Sequence, residues 1–497
     1  MLATLAMVLA TLLIWGGWVW SASAGRRTVF EQLDLDRRRA ELAEADENGR
    51  RGNTQAEWVA LSQLKTAADI GIANVFTRQR LTTQQEPGRM LIPPYWPEWR
   101  RQMGFLYDQR YTQVLTQTVA ELHDKQWKLP HEPVEAYYHG GDGAQQSARR
   151  VASMFADATE WEFVSGDTAD AFASFVESLY LAGLIKERQT IVDYLVAVNM
   201  EAMAYAVVNR NMPPLGDATE AMSDDERANA RKAIKDLLAG DREFENYARV
   251  LEVDLLIQRE SSAFFLATTS PTITASADTL LNRTLVNQQK AIDLVREKLP
   301  AEKLTELKSP AKGSEDEGAT GPIEVIQNEI SDVVYVVDPS HLQMCQLAAM
   351  RRRMTALSIA TAIYRRDHNG RWPTTLDDLS PDLLPSVPAD PFTADTQPLR
   401  LIHLRWPGGE PRPVLASVGR DGSPDFIDLL ESNAEPAVWP RDDARVPIYD
   451  PSTSQLDELH EHARRDDLLL DLSAPPQSVR DAYSRDHAKA DSSDTLE

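Results

Sequence analysis

His460, Glu461 and His462 place two imidazoles and a carboxylate within three consecutive residues, donors of the kind that hold a transition metal. Their spacing works against that chemistry. Successive helical positions turn by about 100°, so the side chains diverge, and the His-Glu-x-x-His pattern that aligns two ligands on one face is missing. A second group, His131, Glu132, Glu135 and His139, surrounds Pro133 in a loop, where such side chains are ordinarily solvated. Ser62 and Lys65 reproduce the Ser-x-x-Lys spacing of acylating enzymes without the companion motifs. Neither a Gly-rich phosphate loop nor a Gly-x-Ser-x-Gly elbow occurs. The single thiol, Cys345, sits among Leu342, Leu347 and Met350, the setting of a small buried hydrophobe. No catalytic constellation emerges.

The elements that carry these residues belong to a chain of 497 residues, long enough for two or three domains. Hydrophobic residues at 42% and charged residues at 26% are ordinary for folded protein and argue against global disorder. With 52 basic against 76 acidic residues the formal charge is -24, which repels phosphates and so excludes nucleic acid as the expected partner. One cysteine allows no intrachain disulfide, so packing must supply the stability.

From Leu2 to Trp20 there is no charged residue. Those 19 residues, at about 1.5 Å each, span roughly 28 Å, close to the hydrocarbon thickness of a bilayer. Trp15, Trp18 and Trp20 gather at one end, with Arg26 and Arg27 just beyond, as at a membrane interface. A cleaved signal peptide is the competing reading, because Ala22-Ser23-Ala24 resembles a cleavage site. The apolar run is long for a signal core and lacks a preceding basic stretch, which favours an uncleaved anchor. The expectation is a single-pass protein held in the membrane by residues 2–20, with its bulk outside the cytoplasm. The arginines after the helix argue for the opposite orientation by a literal positive-inside count, although long domains translocate despite flanking charge.

Behind the anchor (1–25), residues 26–53 are dense in Arg, Glu and Asp and read as a charged stalk. Residues 54–304 carry helical periodicity, beginning with the stripe Trp58, Leu61, Leu64, Ala68 and Ile72. Four prolines between Pro87 and Pro97 break the pattern with an extended loop. Two apolar helices follow, Thr168 to Leu184 and Arg188 to Arg210, with Pro213-Pro214 expected as a break. Ser223 and Glu226 form a capping box for the next helix. Polar residues between Leu307 and Pro322 mark a linker, placed at 305–335. A small α+β unit is expected at 336–430, with a helix from His341 to Arg366 and strands at Leu399–Leu404 and Val414–Val418. Its helix carries a near-heptad row, Leu347, Met350, Met354, Leu357 and Tyr364, suited to packing on its own sheet or on a partner. Residues 431–497 read as an acidic, largely disordered tail in which only Leu468–Leu472 is apolar enough to dock. The fold class is mainly α: an N-terminal transmembrane helix, a multi-helix ectodomain and a small α+β module.

Two blocks in that module carry a resemblance. Asp367, His368, Gly370, Trp372, Pro373, Leu376 and Leu379, then Val387-Pro388 with Asp390-Pro391-Phe392, and finally Ser417-Val418-Gly419 with Asp421-Gly422, resemble in order the head of type II secretion pseudopilins. The likeness covers about 344–425, and no Gly-Phe prepilin cleavage site precedes the apolar helix. Gly166, Asp167 and Ala171, followed by the runs 179–184 and 191–206, are similar to a block in membrane-anchored proteins of planctomycete-type bacteria. Those proteins set a pseudopilin-like module behind a helical domain and have no assigned activity.

The pseudopilin resemblance implies a calcium site in the closing loop, where Asp421 and Asp425 flank Gly422 near the carbonyl of Ser417. Calcium takes six to eight oxygens; two carboxylates are few, Arg420 adds a cation, and an ordinary Asp-Gly turn accounts for the same residues. The functional expectation is a non-catalytic envelope protein that presents an interaction or structural surface to protein partners. The alternatives are an envelope hydrolase with a site assembled from scattered residues, and a secretion-related pseudopilin-like assembly component.

Overall fold

The computed structural model describes residues 60–70, 111–124, 143–217, 221–267 and 339–418, short gaps aside. It also describes parts of 11–20, 103–107 and 286–296, and the segments 435–438, 445–449 and 468–471. The described chain is mostly helical with a small sheet. The principal helices are α1 (Tyr111–Asp124), α2 (Ala144–Ser165), α3 (Thr168–Lys186), α4 (Ile191–Asp217), α5 (Asp224–Ala239), α6 (Glu243–Ala267) and α7 (Pro339–Asp367).

Local chemistry sets several helix ends. Gly166 adopts φ 91° after α2, and the amides of Gly166 and Asp167 donate to Phe163 O and Glu162 O, the paired bonds of a Schellman stop. The next helix starts at once, with the Ala171 amide donating to Asp167 O. Thr190 caps α4: its Oγ1 accepts the Asp193 amide at 3.1 Å and its hydroxyl donates to the Asp193 carboxylate at 2.5 Å. At α5 the expected box is present, with the Ser223 amide on Glu226 Oε2 at 2.7 Å and the Glu226 amide on Ser223 Oγ at 3.2 Å.

The expected break at Pro213-Pro214 is corrected. Both prolines lie inside α4, which runs on to Asp217. They remove two amide donors near the C-terminal end, where few further turns depend on them.

Helix α4 is the common wall of three apolar clusters. Ala197 and Met200 pack with α1, α2, α3 and the 60–70 stretch. Ile191, Tyr194 and Val198 pack with α6, Ala291, Ile292 and Cys345. Tyr205, Val208 and Met212 pack with α5 and α7. A helix covered on several sides must be apolar nearly all round. Accordingly α3 and α4 are each long and apolar enough to cross a membrane by length and composition, yet 56% and 61% of their apolar windows are buried inside the fold. At the N-terminus, residues 11–17 and Trp20 are helical.

Beyond α7 the chain makes a left-handed turn at Asn369 and Gly370 and a short 3-10 helix, Leu376–Leu379, whose leucines are buried. Strands β1 (Arg400–Arg405) and β2 (Pro411–Ser417) form an antiparallel hairpin. Three strands from the region expected to be a largely disordered tail extend it: β3 (Glu435–Val438), β4 (Arg445–Tyr449) and β5 (Leu468–Asp471). The order is β3-β4-β1-β2-β5, with β1 and β4 parallel and the other pairs antiparallel. The apolar segment expected to dock is β5; the short runs behind β3 and β4, each with a proline, gave no strand signal.

The expected linker 305–335 lies outside the described residues. On either side of it there is one continuous core, because Met350, Met354 and Leu357 of α7 share a cluster with α4, α5 and the β1–β2 hairpin. The near-heptad row of α7 therefore packs on helices of the 54–304 region as well as on its own sheet.

A buried ionic cluster beneath a polar cavity

Four helices place charged side chains at one point. Lys186 ends α3, Glu201 lies mid-way along α4, Glu243 opens α6 and Arg352 belongs to α7. Lys186 Nζ is 2.9 Å from Glu201 Oε1 and 2.6 Å from Glu243 Oε1. Arg352 Nη2 is 2.5 Å from Glu201 Oε1 and 2.9 Å from Glu243 Oε1. Each carboxylate thus meets both cations, and the four charges cancel. Two tyrosines complete the shell: Tyr194 donates its hydroxyl to Glu243 Oε2 at 3.1 Å, and Arg352 Nε donates to Tyr205 Oη at 3.1 Å.

Burial pushes the Glu243 carboxyl upward, but Lys186 and Arg352 outweigh it and hold the group below the usual carboxylate range. Burial disfavours the charged Arg352 as well, yet Glu201 and its neighbours hold the guanidinium well above its ordinary value. Tyr194 and Tyr205 are raised chiefly by burial. Glu243 is therefore ionised, Arg352 protonated and both tyrosines neutral near pH 7. None of these four groups is poised to exchange a proton in general acid–base catalysis.

A cavity of about 300 Å³ opens above the cluster, lined by Gly183, Lys186, Glu201 and Arg352 and, toward the rim, by Asp236 and Arg249. Its chemistry is that of a polar recess over a charge-balanced, hydrogen-bonded floor.

A second polar centre lies in α2. Glu162 is fully buried, and its Oε1 accepts the Tyr107 hydroxyl at 3.1 Å and the Ser174 hydroxyl at 3.2 Å. Burial raises this carboxyl to about 7; Asp170 and Asp167 push the same way and the two hydroxyls oppose them.

The third is in the α+β unit. Asp390 Oδ1 accepts the Phe392 amide and the Ser417 hydroxyl, each at 3.0 Å, and Oδ2 accepts the Val418 amide at 2.9 Å. One carboxylate therefore joins the Asp-Pro-Phe turn to the end of β2. Asp367, at the end of α7, is ion-paired with Arg227 of α5 at 2.5 Å.

The residues singled out in the sequence fare differently. Ser62 and Lys65 are exposed on the helical stretch 60–70, opposite buried Leu61, Leu64 and Ala68. Cys345 is buried beneath α4. His131, Glu132, Glu135, His139, His460, Glu461, His462, Asp421 and Asp425 lie outside the described residues. Among the described residues no group of three or more His, Cys, Asp or Glu side chains could hold a metal. The ionic cluster was missed because its members come from four helices. Its one sequence signal is Glu201, the only charge between Asp193 and Arg210.

No family model matches the chain, and searches of curated proteins and of solved structures returned no match.

Proposed function

We propose that this chain is a single-pass, membrane-anchored envelope protein whose folded region acts as an interaction or structural unit and not as an enzyme. The observation that carries the anchor is the distribution of exposed apolar side chains. Leu13, Ile14 and Trp20 are 74–75% exposed, and of the large hydrophobics exposed among the described residues only Val192 lies elsewhere than 12–20. A helical stretch of that composition, uncovered by the fold, is stabilised by lipid. In this reading residues 2–20 cross the bilayer and the bulk is extracytoplasmic. The C-terminal part is a pseudopilin-like module, a reading supported by Asp390, which ties together two of the sequence blocks that carry the likeness.

Membrane fractionation tests the anchor. The full chain is expected in the membrane fraction, resistant to high salt and alkaline carbonate and released by detergent, whereas a variant lacking residues 2–20 stays in the supernatant. Full-length protein in the salt wash would overturn the reading. A reporter active only outside the cytoplasm, fused after Asn53, is expected to give signal; activity of a cytoplasmic reporter at that site would reverse the orientation.

A further inference from the structure

The groups at the rim of the cavity differ from those on its floor. Lys186, Glu201, Glu243 and Arg352 neutralise one another below. Arg249 is exposed at the rim and has no ion-pair partner among the described residues. Asn246 lies three residues earlier on α6, also lines the cavity, and by that spacing shares a helix face with Arg249. From other elements come two carboxylates, Glu187 just after α3 and Asp236 on α5. The ion-pair partner of Asp236 among the described residues is Lys232, one helical turn away at 3.0 Å and itself 60% exposed; such surface pairs exchange readily.

Gly183 supplies an independent sign that this space is kept open. It lies inside α3 and lines the cavity. A Cβ built there meets nothing within 4 Å. Packing does not demand glycine, and glycine within a helix costs about 1 kcal/mol relative to alanine. The missing side chain leaves room for something else.

We propose that the cavity binds a small zwitterion of the amino-acid or dipeptide class, its carboxylate on Arg249 and Asn246 and its ammonium on Asp236 and Glu187. The recess of about 300 Å³ lies at the small end of ligand pockets, roughly 300–1,000 Å³, which favours a ligand of amino-acid or dipeptide size over a larger one. A ligand with both charges suits a lining that holds both signs. Its zero net charge also avoids the repulsion that a protein of charge -24 exerts on simple anions. Leu179 and Leu237, on the same lining, would contact the ligand's apolar part.

The proposal is independent of the membrane anchor and is tested on the full chain in detergent. Thermal unfolding is followed with L-leucine, L-glutamine or Ala-Ala, and with putrescine and propionate as singly signed controls, each at ~10 mM so that binding to the native state registers as a raised Tm. At least one zwitterion is expected to raise Tm while both controls leave it unchanged. Arg249→Met, at an exposed position, is expected to keep the basal Tm and weaken binding about tenfold or more, as loss of a charge-assisted contact does. Gly183→Leu fills the recess and is expected to abolish the shift. Should Gly183→Leu not fold, Arg249→Met decides alone. A wild-type chain unmoved by every zwitterion, an equal shift with putrescine or propionate, or an unchanged response in Arg249→Met would overturn the proposal.

Discussion

Among the described residues Glu162 is held by the hydroxyls of Tyr107 and Ser174, and the charges that act on it, Asp167 and Asp170, are of its own sign. Its carboxyl is raised from 4.5 to about 7, so between those values the folded chain binds more protons than the unfolded one. Stability then falls as pH rises through that window, by up to about 3 kcal/mol from this group. Glu162→Gln keeps an acceptor for both hydroxyls and removes the titration. Urea unfolding is expected to find the variant close to wild type at pH 5 and more stable by roughly 1–3 kcal/mol at pH 8; equal differences at both pH values would refute the assignment. The ionic cluster responds in the opposite sense to loss of a carboxylate. Glu243→Gln strands Lys186 and Arg352 with one partner charge between them, at an expected cost of about 3–5 kcal/mol in the free energy of urea unfolding. Neither centre was legible from sequence. Glu162 sits between Trp161 and Phe163, in a pattern indistinguishable from a solvated helix position, and the cluster joins residues up to 166 positions apart (352 - 186). Pattern reading works within an element, and these contacts lie between elements.

Helices are where the sequence was most readable, because their ends and faces are fixed by neighbours in the chain. The Ser223–Glu226 box and the buried Leu61, Leu64 and Ala68 follow from spacing alone. Pro213-Pro214 misled, since a proline's cost depends on how many turns lie beyond it, which the dipeptide does not reveal. Glycines show the same dependence on context. At Gly216, where α4 runs against α7, an added Cβ would stand 3.0 Å from Arg365 Nη1 and 3.4 Å from Ala362 Cα. Arg365 has little freedom to yield, being buried with its guanidinium 3.7 Å from the Trp372 ring centre. Gly216→Leu is therefore expected to destabilise by about 1–3 kcal/mol through overpacking. Gly183→Ala, over open space, is expected to stabilise by up to about 1 kcal/mol. Opposite shifts in urea midpoint for the two variants would bear this out; shifts of the same sign would show that helix propensity, not contact, governs both.

For the whole molecule the sequence displayed a boundary that packing does not follow. A polar stretch at 307–322 reads as a linker, yet α7 beyond it buries Cys345, Ala348 and Ala349 against α4 and α6 and Met350 and Leu357 in the cluster shared with α4 and α5. A fragment of residues 336–430 would expose that face. It is expected to show no cooperative melt by circular dichroism, whereas the chain from residue 54 onward melts cooperatively. A fragment that folds alone would mean that its own sheet suffices. The same feature sets a schedule for the newly made chain. Arg352 meets Glu201 across 151 residues, and Asn209 meets Thr355 across 146. At synthesis rates of ~5–20 residues per second, Glu201 leaves the ribosome on the order of ten seconds before its guanidinium partner exists. Throughout that interval the side of α4 that α7 covers in the finished fold stands open, while its other side can already rest on α1, α2 and α3.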